Sequence, residues 1–163
     1  MTRLVPRLDA EESAAWLSLV SLLELLPSAL DSQLQRDSGL THYEFAVLSN
    51  LRFSPDQTQR MSALATATNA TLPRLSHVIT RLENRGLVER VPCPEDRRAT
   101  NARLTDAGRR DLVRATPGHI EFVRRTVIDS LDREQLDQLT AIASAITRKL
   151  DPEGKFAALP DPQ

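Results

Sequence analysis

The chain has 163 residues, of which 40% are hydrophobic and 26% are charged, with a formal net charge of −1. The length is typical of one domain, or of one domain with helical extensions, with a real core, and the composition indicates a globular rather than a disordered chain. The single cysteine, Cys93, excludes an intrachain disulfide and a multi-cysteine metal site. No apolar run approaches the ~20 residues of a membrane span, and the first residues lack a secretory signal. We therefore expect a cytoplasmic protein without a membrane partner.

Basic residues are concentrated in the middle of the chain. Residues 60–110 contain ten arginines and five acidic residues, a local charge of +5, so the remainder carries −6. Such asymmetry is typical of a basic module on an acidic body, and it confines any contact with phosphate to the middle third.

The first third predicts two helices. "DAEESAAWLSLVSLLELLPSALDSQLQRDSG" has acids at its start and Gly39 after its end, as expected of one helix of about eight turns. Pro27 lies inside this helix and is expected to kink or interrupt it. A second helix begins at the capping box formed by Thr41 and Glu44, and it ends at Ser54-Pro55-Asp56.

The segment "RMSALATATNATLPRLSHVITRLENRGLVER" predicts two short helices around a tight turn. Ser62 is expected to cap the first helix, and Asn69 suits a left-handed residue at the connection. Thr71 is expected to cap the second helix, which tolerates Pro73 in its first turn and ends at Gly86. This arrangement is a helix-turn-helix, whose second member typically enters the major groove of DNA.

Two short strands, "LVERV" and "ATNARLT", follow and are expected to pair through a charged loop, which makes the unit a winged helix. Thr105 is expected to cap a helix through about Leu131, interrupted at Pro117-Gly118. Apolar residues at spacings of three and four then predict a last helix. These residues are Leu136, Leu139, Ile142, Ile146 and Leu150.

The predicted recognition helix separates into two faces. Its inward residues are Leu75, Val78, Ile79 and Leu82, and its opposite face carries Arg74, His77, Arg81 and Asn84. Such donors reach base edges and phosphates, and arginine can bind guanine in bidentate fashion. An ordinary solvated helix face is the alternative interpretation of this helix taken alone.

The tip of the predicted hairpin holds Asp96, Arg97 and Arg98. A guanidinium can enter a narrow, A·T-rich minor groove, where the negative potential is enhanced. We expect Asp96 to orient one arginine by a charge-assisted hydrogen bond and to leave Arg97 for a phosphate. The alternative is a solvated turn with a weak surface ion pair. The neighbouring basic helix favours the DNA interpretation.

Several motifs together resemble the MarR (multiple antibiotic resistance regulator) family. They are "RLENRGLVER", the Asp96/Arg98 pair and "LTDAG" at 104–108, with flanking helices that extend the resemblance over residues 10–150. The resemblance implies a mainly α (α+β) fold, a winged helix-turn-helix with long N- and C-terminal dimerisation helices. It divides a single domain, 1–163, into three parts. They are a DNA-binding lobe at 41–110, a helical dimerisation region at 10–38 and 111–150, and an irregular tail at 151–163.

The resemblance also implies a nucleoid-associated transcriptional regulator, usually a ligand-released repressor, that binds pseudo-palindromic double-stranded DNA as a homodimer. By position it implies major-groove contacts from Thr71, Pro73, Arg74, His77 and Arg81, and wing contacts from Asp96 and Arg98. Leu72 and Pro73 stand where the family usually has polar or basic residues, and either can pack on a thymine methyl. A small aromatic or anionic effector would bind between the dimer helices and the lobe, with Trp16, His42 and Tyr43 as candidate contacts. A structural role remains the alternative for each of these three.

No metal, cofactor or enzymatic activity is expected. The three histidines, 42, 77 and 119, are scattered, and the sequence has no glycine-rich phosphate loop and no HExxH spacing. A winged helix that binds protein rather than DNA is the main alternative, because this fold is used both ways. Redox sensing through Cys93 is a lesser alternative.

Overall fold

The computed structural model describes residues 7–96 and 98–156. The described part contains six α-helices and a small antiparallel sheet. In chain order the elements are α1 (Ala10–Ser38), α2 (His42–Phe53), β1 (Thr58–Arg60), α3 (Met61–Ala67), α4 (Leu72–Asn84), β2 (Val88–Pro92), β3 (Thr100–Leu104), α5 (Asp106–Thr126) and α6 (Arg133–Leu150). The predicted winged helix-turn-helix between long terminal helices is confirmed.

The predicted helix ends are confirmed wherever local hydrogen bonds determine them. The Thr41 hydroxyl accepts from the Glu44 backbone N–H, and the Glu44 carboxylate accepts from the Thr41 backbone N–H. The Thr71 hydroxyl caps α4 and the Thr105 hydroxyl caps α5. Each accepts from a backbone N–H, without the reciprocal bond of a capping box. Asn69 has a φ of 49°, the left-handed conformation expected at the turn between α3 and α4.

The expected interruptions at the two internal prolines are wrong. α1 continues through Pro27, and α5 continues through Pro117-Gly118 before it ends at Thr126 rather than near Leu131. A proline removes only one backbone hydrogen bond, so packing on both sides can hold the helix together. At Gly118 an added Cβ would lie 3.8 Å from side-chain atoms of Gln33 in α1, which shows how closely α5 approaches α1 there.

The start of α3 also differs from the prediction. Ser62 does not cap this helix, because Arg60 occupies the N-cap position and makes no side-chain capping bond. Arg60 instead ends β1, a three-residue strand that the sequence did not reveal. β1 pairs with β3, which in turn pairs with β2, so the predicted hairpin becomes a sheet of order β1-β3-β2.

The hydrophobic core lies inside the winged-helix lobe and at its junction with α1 and α5. By contrast, much of the apolar surface of the two terminal helices is exposed in the single chain. The exposed residues include Trp16, Leu17, Leu22, Leu23 and Leu25 in α1, and Leu139, Ile142, Ile146 and Leu150 in α6.

α1 contains an 18-residue window with a mean hydropathy of 1.5. By length and composition alone it could therefore cross a membrane, so the expectation that no segment approaches a membrane span is wrong for this helix. Core helices of soluble proteins have the same length and composition, so the property by itself assigns no membrane partner.

The "LTDAG" motif joins the wing sheet to α5. The Thr105 hydroxyl donates to the Gly86 carbonyl oxygen at 2.7 Å and accepts from the Gly108 backbone N–H at 3.0 Å. Gly108 lies so close to the chain entering β2 that an added Cβ would be 2.0 Å from the Leu87 carbonyl oxygen. Glycine is required there because backbone fills the space that a side chain would need.

We expect Gly108→Ala to lower the free energy of unfolding by about 2 kcal/mol or more, because backbone must move to relieve the overlap. Gly118→Ala, in the same helix, is the matched control. Its Cβ meets only ordinary contacts, so the better helix propensity of alanine should leave stability unchanged or raise it by up to about 1 kcal/mol. Urea denaturation of both variants measures the difference, and equal stabilities would contradict the packing described for Gly108.

Candidate nucleic-acid interface

α4 is anchored by one apolar stripe and exposes the opposite side. Leu75, Val78, Ile79 and Leu82 are all buried, as predicted. The residues that lie opposite this stripe, at helical spacings of three and four, are Pro73, His77, Thr80 and Asn84, and all four are exposed. Sequence reasoning included His77 and Asn84 on this face but missed Thr80.

Arg74 and Arg81, which the sequence also placed on the outer face, contact α2 instead. The Arg74 guanidinium lies over the Tyr43 ring, 4.7 Å from its centroid. Arg81 Nη2 donates to Glu44 Oε1 at 2.9 Å. Both arginines retain exposed surface. These contacts nevertheless hold their guanidinium groups beside α2, at one edge of the exposed side of α4.

Glu44 is the buried charge that fixes this edge. Its side chain is only 5% exposed, and it lies 2.9 Å from Arg81 and 3.7 Å from Arg85. Arg85 also donates to the Gly39 carbonyl oxygen at 3.0 Å, beyond the end of α1. A buried carboxylate needs such partners, so this pairing ties the C-terminal half of α4 to the corner between α1 and α2.

The wing tip is organised by Asp96, although not in the manner predicted. Asp96 Oδ1 accepts from the Arg98 backbone N–H at 3.0 Å, and its other oxygen accepts from Arg60 Nη2 at 2.6 Å. The guanidinium that pairs with Asp96 therefore belongs to Arg60, 36 residues earlier, rather than to a neighbouring arginine. The Arg98 side chain is exposed, and Arg97 lies outside the described residues.

Arg90 connects the wing to the recognition helix. It lies on β2, and its backbone N–H and guanidinium both donate to the Glu83 carboxylate. Its Nη2 also donates to the Ser76 carbonyl oxygen at 2.9 Å and to the Thr80 hydroxyl at 3.0 Å. These bonds to one face of α4 fix the distance between wing and helix.

A cleft of about 410 Å³ separates the wing from the first turn of α4. Its lining combines cationic and small polar residues with apolar ones, including Arg60, Leu72, Ser76, Arg90, Asp96 and Arg98. Leu72 is 48% exposed there. The cleft therefore has an apolar contact on the helix side and three arginines, Arg60, Arg90 and Arg98, on the wing side.

A second polar cluster lies where α1, α2 and α5 cross. Gln33 and His119 are both buried, with His119 Nδ1 3.2 Å from Gln33 Oε1. Gln33 Nε2 donates to Asp37 Oδ2 at 2.8 Å, so its oxygen faces the imidazole and His119 Nδ1 is the donor. The His119 ring also packs on Phe45 at 4.6 Å and lies 6.1 Å from the His42 ring, between centroids.

The residues predicted to bind an effector are not all brought together. His42 belongs to the junction cluster, where its backbone N–H donates to Asp31 Oδ1 at 2.8 Å. Tyr43 lies beneath Arg74 and shares a hydrogen bond with Thr68. Trp16 lies fifteen residues before Asp31 on α1, about 22 Å along the helix axis, so within one chain it does not join the other two.

Both junction histidines favour the neutral form. Burial lowers the pKa of His42, and the nearby Asp31 carboxylate opposes this only in part. Burial also lowers the pKa of His119, and the neighbouring His42 lowers it further. Sequence reasoning treated His119 as an isolated residue, because its partner Gln33 is 86 positions away.

Cys93 is buried in the wing, where its backbone N–H donates to the Ala99 carbonyl oxygen at 3.2 Å and closes the loop. Redox sensing through this thiol stays an untested alternative.

Proteins of known structure share this fold over almost the whole chain. The MarR family model matches residues 40–100. The crystal structure of Sco3205, a MarR family transcriptional regulator from Streptomyces coelicolor in complex with DNA, is 42% identical in sequence, with a TM-score of 0.87. The match covers 97% of this chain and 98% of Sco3205. The chain belongs to the MarR family.

Two further structures agree with this MarR-family assignment. AbsC, another MarR family transcriptional regulator from Streptomyces coelicolor, is 38% identical over 91% of this chain and 100% of its own, with a TM-score of 0.85. Sco5413, from the same organism and family, is 22% identical over 89% of this chain and 99% of its own, with a TM-score of 0.76, and shows the shared fold alone. The predicted identity as a MarR-family transcriptional regulator is confirmed, and these relatives are regulators rather than enzymes.

The junction histidines make the stability of this MarR-family protein depend on pH. A histidine whose pKa is lower when folded than its ordinary value of about 6.5 takes up a proton more readily in the unfolded chain. Stability is therefore complete above that value and decreases as the pH falls through it. Each histidine contributes a slope of at most about 1.4 kcal/mol per pH unit.

We expect urea denaturation between pH 7.5 and 5.5 to show this decrease, and His119→Gln to reduce its slope. His77→Gln removes an exposed histidine from α4 and should retain the slope of the unmodified protein. If all three proteins had the same slope, the junction cluster would not be its source.

Proposed function

We propose that this MarR-family transcriptional regulator binds a pseudo-palindromic DNA operator as a homodimer, most simply as a ligand-released repressor in the cytoplasm. α4 of each subunit enters a major groove, and the wing reaches the adjacent minor groove. In this proposal the lobe at 41–110 binds DNA and the helices at 10–38 and 111–150 form the dimer. Residues 157–163 of the expected tail, 151–163, lie outside the described part of the chain. Sco3205 was solved in complex with DNA, and its similarity extends over almost the whole chain.

The observation that carries the proposal is the exposed Arg98 at the wing tip, held in place through its own backbone N–H. Because Asp96 fixes the backbone, the Arg98 side chain begins from a defined position and loses less conformational freedom on entering a minor groove. Leu72 and Ser76 of α4 lie across the cleft from it. Thr71 at the N-cap and Pro73 and His77 on α4 form the proposed major-groove contacts.

Arg74 and Arg81 are proposed to contact the DNA backbone rather than the bases. Their contacts with Tyr43 and Glu44 orient the two guanidinium groups along the edge of α4, where phosphates of the DNA backbone would pass. Contacts to phosphates fix register and orientation, whereas base contacts determine sequence preference. Sequence discrimination therefore depends on the outward face of α4 and on Arg98.

Dimerisation rests on apolar surface that the single chain leaves exposed. No described residue of α6 is buried, and Ile142 and Leu150 are 59% and 80% exposed. The N-terminal half of α1 exposes a second set of large aliphatic side chains. Exposed apolar surface of this extent is typical of a subunit interface.

We propose that the effector is a small aromatic or anionic molecule bound beside the junction of α1, α2 and α5. His42 lies in this region, and Tyr43 follows it on α2 but contacts Arg74 and Thr68. Trp16 would have to reach the site from the partner subunit.

The primary test is an in vitro selection of random duplex DNA by the purified protein. We expect enrichment of a pseudo-palindrome with half-sites about one helical turn apart. Weak, salt-sensitive retention without enrichment would contradict sequence-specific binding and favour the protein-interaction module.

With the selected duplex, we expect Arg98→Ala to weaken binding by at least about 1 kcal/mol, because it removes a minor-groove contact. Arg124→Ala is the control, since it removes another exposed charge, from the far end of α5. Fluorescence anisotropy measures both affinities, and thermal unfolding should be the same in both variants. Unchanged affinity of Arg98→Ala would contradict the role of the wing.

We also expect the purified protein to be a dimer, and Ile142→Asp combined with Ile146→Asp to make it a monomer, because charges on an apolar interface are costly to bury. Phe53→Asp, at a residue of similar exposure in the lobe, should remain dimeric. Sedimentation equilibrium distinguishes the states, and a micromolar monomer of unmodified protein would contradict the architecture.

A further inference from the structure

We propose that Arg60 is a positioning residue for DNA binding, which acts through Asp96 to hold the wing tip and the Arg98 side chain in their binding position. Neither the sequence motifs nor the family resemblance assigned a role to Arg60. The inference rests on the proposed wing contact and adds the residue that orients it.

The geometry places Arg60 between the sheet and the wing tip. It is the last residue of β1, and it pairs with Asn101 of β3, the central strand of the wing. From this fixed backbone position its guanidinium reaches the tip and donates to Asp96 Oδ2 at 2.6 Å. A side chain from outside the β2–β3 hairpin thus connects the hairpin tip to the start of α3.

Asp96 transmits this connection to Arg98. One carboxylate oxygen binds Arg60, and the other accepts from the Arg98 backbone N–H. The Asp96 carbonyl oxygen accepts from the Ala99 N–H at 2.9 Å, which closes the turn on the other side of Arg98. Fixing the Asp96 carboxylate therefore fixes the backbone from which the Arg98 side chain extends.

The charge of Arg60 has a second consequence at this position. Asp96 is an anion within the surface that would approach phosphates, and without a cationic partner it would repel them. Arg60 cancels this charge in the cleft that Arg98 also lines. In the free protein an exposed pair of this kind contributes little to stability, because water screens it. We therefore expect its main effect on DNA binding rather than on folding.

The chain contains a matched control for this ion pair. Arg103 pairs with Glu89 at 2.8 Å on the same sheet, and the two side chains are 48% and 46% exposed, against 50% and 39% for Arg60 and Asp96. The Arg103 pair joins β3 to β2, away from the wing tip. Arg103→Ala thus removes the same charge and the same kind of exposed ion pair without disturbing Asp96.

The test is a double-mutant cycle on binding of the duplex recovered by selection. We expect Arg60→Ala to raise Kd about fivefold or more, equivalent to about 1 kcal/mol. Arg103→Ala should raise it less than about twofold. In an Asp96→Asn background, Arg60→Ala should add less than about twofold, because its partner charge is already absent. Arg60→Lys should recover part of the affinity, since an ammonium can still pair with Asp96.

Base preference and salt dependence distinguish positioning from a direct phosphate contact, and thermal unfolding detects a folding defect. If Arg60 orients Arg98, Arg60→Ala should lower the preference for A·T over G·C pairs at the minor-groove positions beneath the wing, with unchanged thermal unfolding. If Arg60 binds a phosphate itself, its loss costs the same in both backgrounds and lowers the salt slope by about one. That second result would overturn the inference.

The outcomes also separate this inference from the function on which it rests. If Arg98→Ala has no effect, the proposed wing contact fails. If Arg98→Ala weakens binding while Arg60→Ala behaves like Arg103→Ala, only the positioning role of Arg60 is overturned.

Discussion

Burial of four aliphatic side chains on α4 determines the position of everything else in the recognition surface. Leu75, Val78, Ile79 and Leu82 pack into the core, and each stabilises the folded lobe by about 1.5–3 kcal/mol. Because this stripe is fixed, rotation of α4 about its axis is fixed too. The outward face of α4 and the edge that carries Arg74 and Arg81 follow from that rotation, and Arg90 then sets the wing at a defined distance from the helix.

The features predicted correctly from sequence are those whose causes lie within a few residues. Thr41 and Glu44 are three positions apart, and the left-handed Asn69 needs no distant partner. The features that were missed depend on contacts across the fold. Arg60 and Asp96 are 36 positions apart, and His119 and Gln33 are 86 apart. No periodicity in a single sequence indicates such pairs.

The errors at the prolines have the same origin. A local rule predicts that proline interrupts a helix, but the energy of packing α5 against α1 exceeds the loss of one hydrogen bond at Pro117. Likewise, β1 has only three residues and no apolar alternation, so it exists because β3 offers it a partner. Local propensity is a correct guide only where tertiary contacts do not oppose it.

The count of ten arginines between 60 and 110 overstates the number of cations available to DNA. Within the described ranges, 7–96 and 98–156, six of the ten arginines between 60 and 110 pair with carboxylates. They are Arg60, Arg81, Arg85, Arg90, Arg103 and Arg109. Much of the basic charge thus organises the lobe internally. Counting arginines predicts which region binds DNA but not which residues meet phosphate.

Because α5 is continuous, it connects the junction of α1, α2 and α5 rigidly to the end of the wing sheet. From the buried His119 to the Thr105 cap, where the wing sheet ends, is fourteen residues, or about 21 Å. A tilt of about 5° at the junction would displace the wing end by about 2 Å over that length. A displacement of that size separates a hydrogen bond from no contact, so the angle at which α5 leaves the junction determines what the wing can reach.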